Sequence, residues 1–280
     1  MPAFKNVTIA GASGELGSLI FKRLIKPDDF KVRVLKRAGS TSTFPDGTDV
    51  IEVEYLSLDS LTAALKDQDV LVSAVTTSAA KDQEILIDAA VAAGVKRVLP
   101  AEFGCNNDAP AVRELPFYTD KVRIQENIIE YSKTTSLSYT FVHNGVGLDW
   151  GLRNNFFLDF EKSTATLIDG GNAEFSTTTF PTIAKAVYSI LCHPEATRNR
   201  VKANPEKTWN VVDVKLSDVV AKAEENYAKG ILDHETLGNY LLKAVYHPSS
   251  EAKFKKLDNE LLDVKGKSED EVVELIRPLV

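Results

Sequence analysis

The chain has 280 residues, 44% of them hydrophobic and 26% charged, enough to bury one large α/β core or two intimate lobes. Its formal net charge of −7 argues against a general nucleic-acid binder, while leaving room for a local basic pocket around a phosphate. The opening MPAFKNVTIAGASG lacks the basic and long apolar regions of a secretory leader, and no apolar run reaches the roughly 18 residues that would span a membrane. The two isolated cysteines, Cys105 and Cys192, suit a reducing compartment better than a disulfide framework, so a cytoplasmic location is expected.

In chain order, Val7–Ala10 reads as a short apolar strand, which makes the glycosylation sequon at Asn6 a chance match. Gly14 to about Ile25 reads as a helix with Leu16, Leu19, Ile20 and Leu24 on one face, ended by Pro27-Asp28-Asp29. Lys31–Lys36 is a second strand and Val50–Leu58 a third. Ser60 is placed to cap a short helix, Leu61–Lys66. Val70–Val75 is a fourth strand, and the helix Lys81–Ala93 stops at Gly94. A fifth strand, Arg97–Phe103, a helix, Asp120–Ser132, and a sixth strand, Ser138–His143, complete the series.

This βαβαβ rhythm predicts an α/β protein, a Rossmann doubly wound parallel sheet with helices on both faces. The Rossmann domain is expected over residues 1–150. A smaller C-terminal α/β substrate lobe is expected over 151–280, interleaved with it and closing over the carboxyl ends of the strands. Its elements are strands at Thr166–Asp169 and Glu174–Thr179, a helix at Pro181–Leu191, a strand at Thr208–Val212, and mostly helix from Leu216.

The stretch Gly11-Ala12-Ser13-Gly14-Glu15-Leu16-Gly17 spaces its glycines as G-x-x-G-x-x-G. Gly11 allows a tight turn out of the first strand, Gly14 lets the backbone approach a pyrophosphate, and Gly17 lets the helix pack closely on the sheet. The helix N-terminus adds free N–H groups and a positive dipole. Three glycines alone fit a bare strand–helix turn equally well. The context of a first strand, an amphipathic helix and a βαβ unit selects the ligand-binding reading. Strand two then ends in Lys36-Arg37, with no acid to hold a ribose 2′-hydroxyl. Arg37 stands 20 positions after Gly17 and can clasp a 2′-phosphate, which favours NADP over NAD. Lys36, Ser40 and Thr41 are further candidate donors.

Ligands in this fold bind outside the carboxyl ends of the strands, here Val75-Thr76-Thr77-Ser78, Leu99–Gly104 and His143-Asn144-Gly145. Thr76 is expected at the cofactor, and Glu102, Phe103 and His143 at the substrate. None of the eight tyrosines has a lysine four positions later, so the Tyr-x-x-x-Lys pair of ordinary short-chain dehydrogenases is missing. Lys121 sits early in the helix before strand six. From position alone it is either a proton donor and ribose holder or a solvated surface lysine. His143 is either an acid or a satisfied wall histidine, and Glu102 orients a neighbour or bonds to backbone. Cys105 reads as an inert loop cysteine. His193, His234 and His247 lack ligand spacing, so no metal site is expected.

The glycine turn, Leu99-Pro100-Ala101-Glu102-Phe103-Gly104, Lys121 and Tyr139-Thr140-Phe141-Val142-His143-Asn144-Gly145 together resemble the NmrA-like / isoflavone reductase-like family of atypical short-chain dehydrogenases. HNGVGLDWGL, from His143 to Leu152, is most similar to its fungal members, and the resemblance spans nearly the whole chain. It implies NADPH dependence and reduction of small, often aromatic or secondary-metabolite substrates. Through it, Lys121 matches the family's catalytic lysine and Arg37 its 2′-phosphate arginine. Gln83 matches a helix residue near the cofactor, and Asn144, Gly145 and Val146 a cofactor-contacting loop. The segment between Gly104 and Lys121 is shorter than in the plant enzymes, so no plant substrate carries over. The family also includes non-catalytic NAD(P)-sensing regulators that bind a protein partner, which is the alternative expectation. An epimerase-like use of tightly held NAD is a third, which Arg37 opposes. The expected assembly is a monomer or homodimer, with a small-molecule substrate and neither nucleic acid nor membrane as partner.

Overall fold

The computed structural model describes residues 4–26, 29–76, 82–156, 158–159, 164–197, 199–202, 213–254, 257–268, 271 and 274–275. Its first half alternates strand and helix: β1 (Asn6–Ala10), α1 (Glu15–Leu24), β2 (Lys31–Arg37), β3 (Asp49–Val53), α2 (Leu58–Leu65), β4 (Val70–Ser73), α3 (Gln83–Ala92), β5 (Arg97–Leu99), α4 (Pro110–Arg113), α5 (Thr119–Thr134) and β6 (Ser138–His143). The central strands β1, β4 and β5 are buried almost throughout and mostly apolar, as parallel strands covered on both faces must be. α1 turns Ile20, Phe21 and Leu24 onto the sheet and ends in Lys22 and Arg23, which suit its negative end.

The second half contains β7 (Val146–Gly147), α6 (Leu148–Arg153), β8 (Leu158–Asp159), β9 (Thr164–Ala165), β10 (Leu167–Ile168), β11 (Thr177–Thr178), α7 (Phe180–Cys192), β12 (Asn199–Lys202), β13 (Asp213–Val214), α8 (Leu216–Ala228) and α9 (His234–Tyr246). Among the described residues the main sheet has seven strands in the order β12-β6-β5-β4-β1-β2-β3, all parallel. Val7 of β1 registers with Val32 of β2 and Val70 of β4. The chain builds outward from β1 through β2 and β3, then crosses back to β4 and builds the other way. The carboxyl ends of β1 and β4 therefore form the topological switch point, where this fold opens a crevice.

Several boundaries differ from the sequence reading. Strand three ends at Val53 rather than Leu58, because the next segment leaves the sheet and exposes Leu56 and Leu58. The cap of α2 is Ser57, whose side chain accepts the Ser60 N–H, while the Ser60 hydroxyl accepts the Glu54 N–H. Strand five stops at Leu99, and Phe103 adopts a positive φ of 20°. Of Glu174–Thr179 only Thr177–Thr178 pairs, with β7. The expected strand Thr208–Val212 lies outside the described residues. The sequence reading missed β12, which adds a strand beside β6, and the short helices α4 and α6.

The second half is not a separate layer. α7 packs against α1 and buries Ile183, Ala184, Val187, Ile190 and Leu191, of which Ala184, Val187, Ile190 and Leu191 share one core cluster with Val7, Ile9 and Ile20. α8 and α9 pack on each other, and a further cluster joins Ala223, Tyr240, Ala244 and Val245 to Cys105, Leu115 and Tyr118.

Candidate functional site

At the switch point the chain leaves β1 through Gly11, with φ +82°; a Cβ there would lie 2.5 Å from the Ala74 carbonyl oxygen. A Cβ on Gly17 would lie 2.0 Å from the Gly11 oxygen. Packing inside the protein therefore requires both glycines. Gly14 is different: a Cβ there meets nothing closer than the Gly11 oxygen at 3.4 Å. Gly14 N-caps α1 in an extended conformation without a side-chain cap, so the helix presents its first turn and positive end here.

A cleft of about 530 Å³ opens on this turn. Of the expected residues, Gly11, Ala12, Ser13, Gly14, Arg37, Thr76 and Gln83 line it, as do Lys36, Ser40 and Thr41. Glu15, Leu16 and Gly17 do not. Glu15 is exposed, 3.6 Å from Arg153, while Leu16 packs on the core and Gly17 is buried under the turn. Lys36 is a poor phosphate donor, because the β2–β3 register sets it opposite Glu52 and their side chains pair at 2.8 Å. Arg37 is exposed, and among the described residues no carboxylate pairs with it.

Sequence reasoning missed Tyr55 and Phe44 in this cleft. The Arg37 guanidinium stands 5.7 Å from the centre of the Tyr55 ring. Burial pushes the Tyr55 hydroxyl up to about 12, against Arg37 and a hydrogen bond from the Gly11 N–H. Tyr55 thus sets its ring beside the arginine, while its hydroxyl donates to the Leu35 carbonyl at 3.4 Å. An isolated aromatic after β3 carries no sequence signal for that position.

Gln83 connects the cleft to a second group of residues. Its Oε1 accepts the Ala101 N–H at 2.8 Å, and the next residue, Glu102, offers its carbonyl oxygen to Lys121 Nζ at 2.8 Å. Burial pushes the half-buried Lys121 below the ordinary lysine range, opposed by Glu102 and Cys105. The buried Tyr118 hydroxyl is hydrogen-bonded to Cys105, and burial pushes both groups up. The Glu102 carboxylate is buried and accepts Asn107 Nδ2 at 2.8 Å, so it is turned towards the protein's own interior. Phe103 packs against the core beneath the turn. His143 is fully buried, with Nδ1 3.2 Å from the Cys105 carbonyl and Nε2 3.9 Å from Asp108.

The loop after β6 follows the same segment. The Asn144 and Gly145 N–H groups both donate to the Gly104 carbonyl, at 3.0 and 3.1 Å. Gly145 has φ +68°, and a Cβ there would strike the Ser176 oxygen at 1.9 Å. Asn144 Oδ1 is buried with no hydrogen-bond partner among the described residues. Asn144, Gly145 and Val146 lie outside the lining of the 530 Å³ cleft. Among the described residues no three His, Cys, Asp or Glu side chains converge to hold a metal, and no helix is long and apolar enough to cross a membrane.

A doubly wound parallel sheet with a glycine-rich turn at its switch point defines the Rossmann class of α/β folds. Within that class the chain belongs to the NmrA-like family, whose model matches residues 4–210. It is 27% identical over 300 residues to the oxidoreductase poxI of Penicillium oxalicum, covering 95% of this chain and 92% of that one. The crystal structure of an isoflavone reductase superposes with a TM-score of 0.78 at 18% identity, covering 99% of this chain and 100% of that one. The binary complex of leucoanthocyanidin reductase with NADPH from Vitis vinifera gives 0.70 at 20% identity, covering 89% of each chain.

Proposed function

We propose that this protein is an NADPH-dependent reductase acting on a small electrophile, an aromatic or secondary-metabolite enone or carbonyl. One observation carries the reading: a single cleft joins the glycine turn to the exposed Arg37, and its wall residue Gln83 leads through Ala101 to Lys121. The names of the relatives support it, one an oxidoreductase and one a reductase in complex with NADPH.

The residues present fit the cofactor. Gly14 leaves space that internal packing does not need, beside an uncapped helix end suited to a pyrophosphate. Arg37, held near Tyr55, offers a guanidinium fork to a 2′-phosphate. Thr76 and Gln83 line the same space, and the loop of Asn144, Gly145 and Val146, which lies outside it, is assigned to the cofactor by the family resemblance. When bound, the nicotinamide supplies the hydride. The chain's own part is to orient and to move a proton: Lys121 holds its ammonium on the Glu102 carbonyl, with a proton affinity drawn down towards the working pH. Phe103 is assigned to the wall of the substrate side, along with α8 and α9 of the C-terminal lobe, with the fully buried His143 behind it. The free thiols Cys105 and Cys192 suit a reducing compartment, and the cytoplasm is the proposed location.

Titration of the intrinsic tryptophan fluorescence with NADPH and NADH tests the reading. NADPH is expected to bind more tightly than NADH. Arg37→Ala should weaken NADPH by roughly 10- to 100-fold, the worth of a charged hydrogen-bonded pair, and leave NADH nearly unchanged. Equal losses for both nucleotides would remove Arg37 from the 2′-phosphate. Binding of neither nucleotide to the unaltered protein would overturn the reductase reading.

A further inference from the structure

We propose that Asn107 and Gln125 are positioning residues that fix the Glu102 carboxylate, and with it the residue whose carbonyl holds Lys121, so that the amine stays charged and fixed in place. The inference rests on the reading of Lys121 as the proton donor.

The arrangement starts from helix spacing. Lys121 and Gln125 lie four residues apart on α5 and therefore on one face. Both reach the loop that follows β5. Lys121 Nζ donates to the Glu102 carbonyl, and Gln125 Nε2 donates to Asn107 Oδ1 at 2.8 Å. Asn107 Nδ2 then donates to Glu102 Oε2 at 2.8 Å. Lys121, Glu102, Asn107 and Gln125 thus close a ring between helix and loop. Each end of the Asn107 amide has a partner, which fixes the orientation of the group that presents its N–H to the carboxylate. The preceding loop residue is anchored too, because Asn106 Nδ2 donates to Glu251 Oε2 at 3.1 Å.

These are polar groups where apolar ones would pack more easily. Glu102 is 3% exposed, Asn107 0% and Gln125 1%. A carboxylate so placed needs hydrogen bonds and a nearby countercharge. A desolvated lysine needs the same help to keep its proton. The ring serves both needs: the Asn107 amide fixes the anion, and the anion acts on the ammonium held at the same residue's carbonyl. Other groups also face Lys121. Cys105 and Tyr118 approach it and bond to each other. His143 contacts the Cys105 carbonyl, and Asp108 lies beyond it. On α5, Asp120 pairs with Arg123, which also takes Glu84 of α3.

The proton affinity of Lys121 can be read without turnover, from the pH dependence of its acetylation by trace acetic anhydride in the intact protein. The Lys121 peptide is quantified by mass spectrometry. Glu102→Gln keeps the shape and an acceptor for Asn107 but removes the charge. It should lower the apparent pKa of Lys121, because it removes the negative charge that opposes the effect of burial there. Gln125→Met, which frees the Asn107 amide, should give a smaller shift in the same direction in a protein that melts as a folded unit. A Lys121 titration unmoved by both changes, or moved upward, overturns the proposal. The two readings fail separately. Absence of NADPH consumption with every acceptor, alongside a shifted titration, removes the reductase reading and leaves the ring intact. NADPH consumption alongside an unmoved titration does the reverse.

Discussion

On the proposed reading, Gly14 and Gly17 separate binding from folding within one turn. A Cβ on Gly17 falls more than an ångström inside ordinary contact with the Gly11 carbonyl, 2.0 Å from its oxygen and 2.8 Å from its carbon. Both are backbone atoms, so α1 itself must move. Overpacking of this kind costs about 1–3 kcal/mol, while alanine gains about 1 kcal/mol over glycine as a helix former. Gly17→Ala should therefore lose up to about 2 kcal/mol net, a fall in melting temperature of up to roughly 4 °C for a chain of this size. Gly14 has φ −74° and ψ 170°, which any residue adopts, and its nearest clash partner is at 3.4 Å. Gly14→Ala should melt within about 0.5 kcal/mol of the parent. It should nevertheless bind NADPH about tenfold or more weaker, because the added methyl would stand where the pyrophosphate is proposed to approach. Differential scanning calorimetry of the ligand-free proteins, followed by NADPH titration of each, makes the comparison. A Gly14→Ala protein that melts early, or binds NADPH like the parent, would refute the assignment of this glycine to the ligand.

Two further predictions follow from the geometry. Lys121→Ala should cut turnover by about 100-fold or more, the range of general acid catalysis, with NADPH affinity near that of the parent; steady-state kinetics beside fluorescence titration checks it, and full activity would remove Lys121 from the chemistry. Asp69 is opposed by its own burial, but it accepts the Asn6 and Lys5 N–H groups at 2.9 Å each and pairs with Lys96 at 2.7 Å, so its carboxyl titrates below the ordinary 3.8. A depressed folded pKa means the stabilisation is present above the unfolded value and lost as pH falls through the folded one. Asp69→Asn should thus lose about 2 kcal/mol at neutral pH, and denaturant titrations should show the gap closing below about pH 4; a gap constant with pH would count against the argument.

The central strands were legible because burial on both faces leaves an unbroken apolar run, as in Val7–Ala10 and Val70–Val72. β12 was not, since Asn199-Arg200-Val201-Lys202 at the sheet edge carries one apolar residue, and its partner β6 supplies the rest of the order. The glycine turn could be read because its backbone demands are local. The standing of Lys36 could not, because its pairing with Glu52 depends on a strand register that neither strand announces. Glu102 shows the same limit from another side. Its place at the end of β5 was evident, but the turn of its carboxylate towards Asn107 depends on α5 packing over the loop. Tyr55 joins Arg37 and Gly11 only through tertiary contact.

The burial of α1 beneath α7 has a consequence for how the chain is made. The face of α1 that carries Ile20 and Leu24 shares its core with Ala184, Val187 and Ile190, and also with Leu262 and Val264. The Ser189 hydroxyl fastens that last segment by donating to the Leu262 carbonyl at 2.6 Å. A nascent chain that has just emitted β6 already holds every residue of the glycine turn, yet one side of the turn's helix still faces water. At about 5–20 residues per second, roughly ten seconds of further translation pass before the covering segments emerge. During that interval the apolar face of α1 stays uncovered, and competence to bind a nucleotide should arrive only once the segment around Leu262 and Val264 has emerged and packed.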